Sequence, residues 1–297
     1  MINKQKLFSV CLILTMMAGR HAFGQEAPTP PAEPVSKKGY PILPKGGDFG
    51  LGFDAVPFLE YAGNLFSGST STNSVYSSFP NGGQQIYGKY FLGSADQPYE
   101  SLMAIRGRFR VNNSSSFNRY NVAQDNLAIP DPSITVQDQL TYKQFGVEIG
   151  AGLEWRRGSG RLYGIYGGEV NFGYSTSSQE AEFGNAFSAS NQTPTSTNLI
   201  GTLGGARGVA VNGQKTTRVG VRAFAGVEYF VAPRLSLSAE FSYGLNFSTT
   251  SKGSTDYQGW DSLKGATYTR TALTPSSGNS YLDTDNLGGS INLFFYF

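Results

Sequence analysis

The chain has 297 residues, of which 15% are charged, 13% aromatic and 38 glycine. Charge lies far below the about 25% of an ordinary soluble domain and glycine well above its usual share of about 7%, and an abundance of Phe and Tyr excludes a disordered chain. Only the N-terminus approaches the apolar run of about 20 residues that a membrane helix needs, so the composition suits strands and turns.

Residues 1–24 read as a signal peptide: Lys4 and Lys6 precede an apolar stretch from Leu7 to Gly19, and the small residues Ala22 and Gly24 place cleavage before Gln25. Cys11 lies inside the apolar stretch rather than after it, which argues against a lipoprotein. Cleavage removes Cys11 and His21, the only Cys and the only His of the chain. The mature protein is then expected to have no thiol nucleophile, no disulfide, no usual zinc ligand and no histidine base, so Ser-His-Asp catalysis is closed to it. Lys4, Lys6 and Arg20 leave without any acid, turning a formal charge of +2 into −1. No electrostatic case for a nucleic-acid partner remains. Residues 25–47 carry Pro28, Pro30, Pro31, Pro34, Pro41 and Pro44 and read as an extended periplasmic linker.

From Asp48 the chain alternates with period two, and eight strands are predicted. They cover 48–61, 84–92, 101–111, 142–155, 161–174, 217–230, 235–248 and 286–297. The first puts Phe49, Leu51, Phe53 and Ala55 on one face and Gly50, Gly52 and Asp54 on the other, with a bend or bulge at Pro57. The fourth alternates most cleanly, with Phe145, Val147, Ile149, Ala151, Leu153 and Trp155 against Gln144, Glu148 and Glu154. Connections alternate as well. Long ones, at 62–83, 112–141, 175–216 and 249–285, are separated by short ones at 93–100, 156–160 and 231–234. Short turns at one end and long loops at the other describe an all-β fold, an eight-stranded antiparallel up-and-down transmembrane β-barrel over 48–297. An even strand number puts both termini on one side, and in lipid the sheet must close. A secreted β-sandwich would also alternate, but here Tyr, Trp and Phe rim the apolar faces near the strand ends and the opposite faces carry charge.

In this pattern the chain resembles the small outer-membrane β-barrels of Gram-negative bacteria, the OmpA/OmpX-like, porin-family group in its Bacteroidetes form. The resemblance is sharpest over Gly288-Gly289-Ser290-Ile291-Asn292-Leu293-Phe294-Phe295-Tyr296-Phe297, with Asp48-Phe49-Gly50-Leu51-Gly52-Phe53-Asp54 similar in style. It implies residence in the outer membrane, contact with outer-membrane lipid, and delivery by the barrel-assembly machinery. Phe295 and Phe297 would carry the insertion signal. The resemblance departs from OmpA itself in that no peptidoglycan-binding domain is expected after the barrel.

The register turns Lys89, Arg106, Arg108, Arg110, Arg218 and Arg222 inward, together with Asp54, Glu148, Glu154, Glu169, Glu228 and Glu240. An eight-stranded interior is only wide enough for side chains, so these charges are expected to pair and close the lumen, Arg108 with Glu148 among them. A closed barrel is a structural, loop-presenting or accessory component, with an envelope protein as a partner through its long loops. The longest loop, 175–216, offers Phe183, Phe187 and glycines at 201, 204, 205 and 208 as a ligand surface or a mobile segment. A narrow channel for ions or small solutes is the alternative if the network leaves a gap. An envelope enzyme ranks last: no cofactor, catalytic or metal residue is assigned. Gly208 to Thr216 only loosely resembles a phosphate-binding loop, and Asp283 with Asp285 is a thin calcium motif.

Overall fold

The computed structural model describes Val35 and residues 37–39, 41–55, 85–93, 103–129, 131–284 and 290–297. The expected signal peptide with Cys11 and His21, most of the linker, Pro57, the 62–83 connection, Asp285, Asn286 and Leu287, and the Gly288-Gly289 pair lie outside the described residues. So do the side chains of Asp283 and Thr284.

The fold is all-β. The strands are β1 (Phe49–Asp54), β2 (Ile86–Leu92), β3 (Met103–Ala123), β4 (Thr135–Ser159), β5 (Leu162–Glu182), β6 (Thr202–Leu203), β7 (Ala206–Asn212), β8 (Lys215–Ala232), β9 (Leu235–Thr250), β10 (Gly253–Asp261), β11 (Ala266–Thr274), β12 (Ser277–Thr284) and β13 (Ser290–Tyr296). Eight of them, in the order β1-β2-β3-β4-β5-β8-β9-β13, pair antiparallel with their neighbours, and β13 returns to β1. The ring is therefore closed. Each of the eight expected strands supplies one member.

Two-residue turns join β4 to β5 at Gly160–Arg161 and β8 to β9 at Pro233–Arg234, with φ of 64° at Gly160 and 58° at Arg234. At the other end the three long connections among the described residues consist in large part of strand. β3 and β4 continue as a paired arm from Asn112↔Gly146 up to Ala123↔Thr135, so most of 112–141 is strand. The expected loop 175–216 contains the end of β5 together with β6 and β7, and 249–285 contains β10, β11 and β12. Breaks at 213–214, 251–252 and 275–276 separate β7 from β8, β9 from β10, and β11 from β12. The result is a wall in the order β3-β4-β5-β7-β10-β11 that prolongs the ring. These segments are rich in Ser, Thr and Asn and lack a continuous apolar face. Period-two hydrophobicity reports a strand only where one face must leave water, so it was silent here. In the wall, Gly204–Gly205 form a two-residue turn between β6 and β7 with φ of 57° and 81°, the left-handed pair that glycine supplies at no steric cost.

Burial alternates along the ring portion of each of these strands. Phe49, Ile86, Ile105, Ile149, Val170, Val219, Phe241 and Ile291, one on each strand in ring order, are exposed on the outside. Their sequence neighbours turn in. Ala55, expected on the apolar face, instead lies past the end of β1 and is buried, its N–H donating to Ile291 O at 2.7 Å. At the short-turn end the interior is an aromatic core of Tyr87, Phe91, Tyr163, Phe230, Phe294 and Tyr296, joined by Ala104. Gly50 and Gly52 face this core, and a Cβ at either would collide with the ring of Tyr296 or Phe294. The glycines of β1 are thus the counterpart of two large rings on β13.

The expectation of an extended linker up to residue 47 needs correction. Lys37 and Lys38 form a turn, Val35 bridges Pro41, and Ile42 and Leu43 join the aromatic core at 1% and 2% exposure. Arg234 N donates to Ile42 O at 3.0 Å, and Gly47 N to Phe91 O at 2.9 Å. Proline content suggested a solvated spacer. Ile42 and Leu43, two large apolar residues, instead gain more from burial across the end of the ring.

Candidate functional site

The inner face above the aromatic core is built from alternate residues of seven ring strands. Lys89 comes from β2, Arg106, Arg108 and Arg110 from β3, Glu148, Glu154 and Arg156 from β4, and Glu169 from β5. Arg222 and Glu228 come from β8, Glu240 from β9, and Ser290 and Asn292 from β13. All are buried, with Lys89, Arg106, Glu154 and Glu228 at 0% exposure.

Arg106 is the hub. Its Nε lies 2.8 Å from Glu169 Oε1, its Nη1 3.3 Å from Glu154 Oε2, and its Nη2 2.7 Å from Glu240 Oε2. The Nη1–Oε1 hydrogen bond at 2.8 Å makes the Glu240 contact bidentate. Lys89 Nζ bridges Glu154 at 2.9 Å and Glu228 at 3.5 Å. Arg222 reaches Glu169 at 3.5 Å and Glu240 at 3.6 Å. Arg108 Nη2 lies 3.0 Å from Glu148 Oε1, and Arg108 Nε 3.5 Å from Glu169. Cation and carboxylate thus alternate in one continuous network.

Two of these contacts join strands that are diametrically opposite in the ring: Arg106 on β3 to Glu240 on β9, and Lys89 on β2 to Glu228 on β8. Side chains from opposite walls touch, so the interior is filled at that level. Removing bulk water from charges is costly, and here each is compensated by partners held on rigid strands. The cations also lie over aromatic faces: Lys89 Nζ is 4.1 Å from the Phe294 ring centre, and the Arg106 guanidinium 4.9 Å from Tyr87 and 4.5 Å from Phe224.

Three further expected members lie nearer the ends of their strands' ring portions. Asp54 is half-buried at the end of β1. Arg110 is buried near the upper rim of the ring. Arg218 is half-buried, with its guanidinium 5.9 Å from the Tyr281 ring centre. Phe295 and Phe297 are exposed on the outside, and Phe297 N donates to Phe49 O at 2.8 Å.

Sequence reasoning missed Arg156. It lies 2.8 Å from Glu228 Oε2, and its guanidinium sits about equally far from Phe91, Tyr163 and Phe230, at 5.0, 5.1 and 5.4 Å. The expected strand stopped at Trp155. The signal was present, since Arg156 shares the even parity of Gln144, Glu148 and Glu154 and one more step of alternation would have reached it. Glu228 also accepts from the Ser236 and Tyr296 hydroxyls, joining the network to the aromatic core.

Beyond the ring, residues 183–201 are tied to the β3–β4 arm. Asp125 Oδ2 accepts from Thr195 N at 2.7 Å and from Asn191 Nδ2 at 2.8 Å, and Asp125 N donates to Asn185 Oδ1 at 2.9 Å. Slight burial pushes the Asp125 carboxyl up, but the hydrogen bonds from Thr195 and Asn191 outweigh it and hold the group below its ordinary 3.8. Among the described residues no three His, Cys, Asp or Glu side chains converge on a possible metal position, and the carboxylates of the network are each engaged with a cation. The arrangement is suited to filling space with balanced charge. Comparison with family models, curated proteins and solved structures gave no match.

Proposed function

We propose that the protein is an outer-membrane β-barrel that crosses lipid with its ring, holds its interior shut, and presents the β3-β4-β5-β7-β10-β11 wall to the outside as a binding or accessory surface. One observation carries this reading. Large apolar side chains are exposed on the outside of all eight ring strands, while the charges are buried within. A water-soluble sheet would reverse that arrangement, because apolar surface is driven out of water and isolated charge is not driven into a core. A lipid surround makes both faces favourable.

Three features support the reading further. A closed ring leaves no unpaired edge in hydrocarbon. Trp155 stacks on Tyr166 at 6.0 Å on the outside near the short turns, where an aromatic girdle would meet the headgroups. Phe295 on β13 and Phe297 just past it are exposed on the outside, where the assembly machinery would read an insertion signal. On this reading the short turns and the segment 41–47 face the periplasm, after export by the cleaved leader. Closure is favoured over conduction because Ile42 and Leu43, the aromatic core and the ion network obstruct the same path in series.

The test is conductance of the refolded mature chain in a planar lipid bilayer, with folding verified by its β-sheet circular dichroism. The expected result is no current from folded, inserted protein. Reproducible open steps would overturn closure and bring the channel reading forward.

A further inference from the structure

Above the ring, the inner face of the wall carries a pocket of about 430 Å³ lined by Ala181, Phe183, Phe187, Arg207, Val209 and Thr267, among others. Arg207, from β7, is the charged group of this pocket and is only 9% exposed. Its guanidinium lies over two phenyl rings, 4.1 Å from the centre of Phe183 and 4.6 Å from that of Phe187. Nη1 donates to Asn185 O at 2.9 Å and Nη2 to Gln258 Oε1 at 3.2 Å. Nε is buried and has no acceptor.

No carboxylate among the described residues forms an ion pair with this cation. Asp138, an acid whose field reaches it, instead accepts from Gly184 N at 3.0 Å and Thr197 N at 2.6 Å. Burial draws the Arg207 guanidinium below its ordinary range, and Asp138 offsets only part of that. A second buried donor without an acceptor, Trp260 Nε1, lies on β10 opposite Thr267 and on the same strand face as Gln258.

We infer that this pocket binds a small organic monocarboxylate whose apolar or aromatic body lies along Phe183, Phe187 and Val209. Each Nη carries a second N–H beyond the one given to Asn185 or Gln258, and these donors lie in the plane of the guanidinium, a fork whose geometry matches a carboxylate. At 9% exposure the cation is already largely desolvated, and an incoming anion gains more from it than it would at a surface lysine. Ala181, Val209 and the two phenyls give the apolar part of the lining and Arg207 its one charge, which suits a single acid on a compact apolar frame, with Gln258 and Thr267 as polar neighbours.

This inference deepens the proposed outward-facing binding role, and it rests on that reading only for the side of the membrane from which the ligand arrives. It is tested on the folded, full-length mature protein in detergent, where failure of the membrane placement would not affect the result. Ligand-observed NMR titration with benzoate and hexanoate is compared with benzamide, which keeps the shape and loses the charge. Both acids are expected to bind saturably, at least about tenfold more tightly than the amide. Arg207→Lys keeps the charge and loses the fork, and is expected to weaken benzoate about tenfold or more. Since Arg207 also secures the 183–187 segment, Thr267→Trp is the second variant: it fills the pocket from an exposed strand position and is expected to abolish binding with the fold intact. Equal binding of acid and amide, no binding of either acid, or binding that survives Thr267→Trp would overturn the assignment.

Discussion

At the scale of single residues, the interior poses a question of purpose. A buried ion network is not in itself a strong source of stability, since well-packed apolar residues of the same volume often serve as well. What charge supplies here is register. A slip of one residue in β3 would turn Arg106 and Arg108 outward and Ile105 and Phe109 inward. The energetic consequence shows when one partner is removed. Glu240 meets Arg106 and Arg222, so Glu240→Ala leaves two buried guanidinium groups short of charge. Urea titration of the folded protein is expected to show a loss of about 3–5 kcal/mol. Arg106→Ala should cost a similar amount, and the double variant clearly less than the sum, because the second removal eliminates part of the imbalance left by the first. Strict additivity would mean that the two side chains do not share one network.

At the scale of elements, the ring strands were readable and the wall was not. Phe145, Val147, Ile149 and their neighbours alternate with polar residues because one side of β4 is apolar and the other charged, and that contrast located the strand and its inward residues. It also explains why β4 was cut short: Arg156 is inward, but the Arg-Arg-Gly-Ser sequence around it read as a turn. In 112–123, Ser and Asn occupy both faces of β3, so composition pointed to a loop where pairing with β4 makes strand. Nothing local predicted that Asp125, at the tip of the arm, would hold residues 191 and 195. That contact has a definite pH signature. Because the carboxyl is held below its unfolded value, its stabilising contribution is present above the ordinary carboxylate range and is lost as pH falls through the lowered value. The protection factor of the Thr195 amide, its exchange rate taken relative to the intrinsic rate at the same pH, should fall on acidification through that range while amides of the ring remain protected. In Asp125→Ala the Thr195 amide should be unprotected at every pH, and an unchanged profile in that variant would show that the acid dependence arises elsewhere.

At the scale of the whole molecule, the proposed membrane placement and a water-soluble ring demand opposite things of the same outer surface. Val221 lies midway along β8, between Val170 on β5 and Leu245 on β9, and is 52% exposed. In water, Val221→Arg would be an ordinary surface exchange worth less than about 0.5 kcal/mol, and it would relieve an exposed apolar patch. In lipid, the same change sets a cation near the middle of the hydrocarbon, at a cost of about 2–4 kcal/mol. Thr269 on β11 supplies the internal control, being just as open to the surroundings but part of the wall beyond the ring. Unfolding titrations in lipid vesicles are therefore expected to show a large loss for Val221→Arg and little for Thr269→Arg. Equal, small effects at both positions would count against a lipid-facing ring. A large penalty at Thr269 as well would extend the apolar surround up the wall and remove the basis for treating that wall as the presented surface. The contrast between the two sites, rather than either value alone, measures where the boundary between lipid and water crosses the chain.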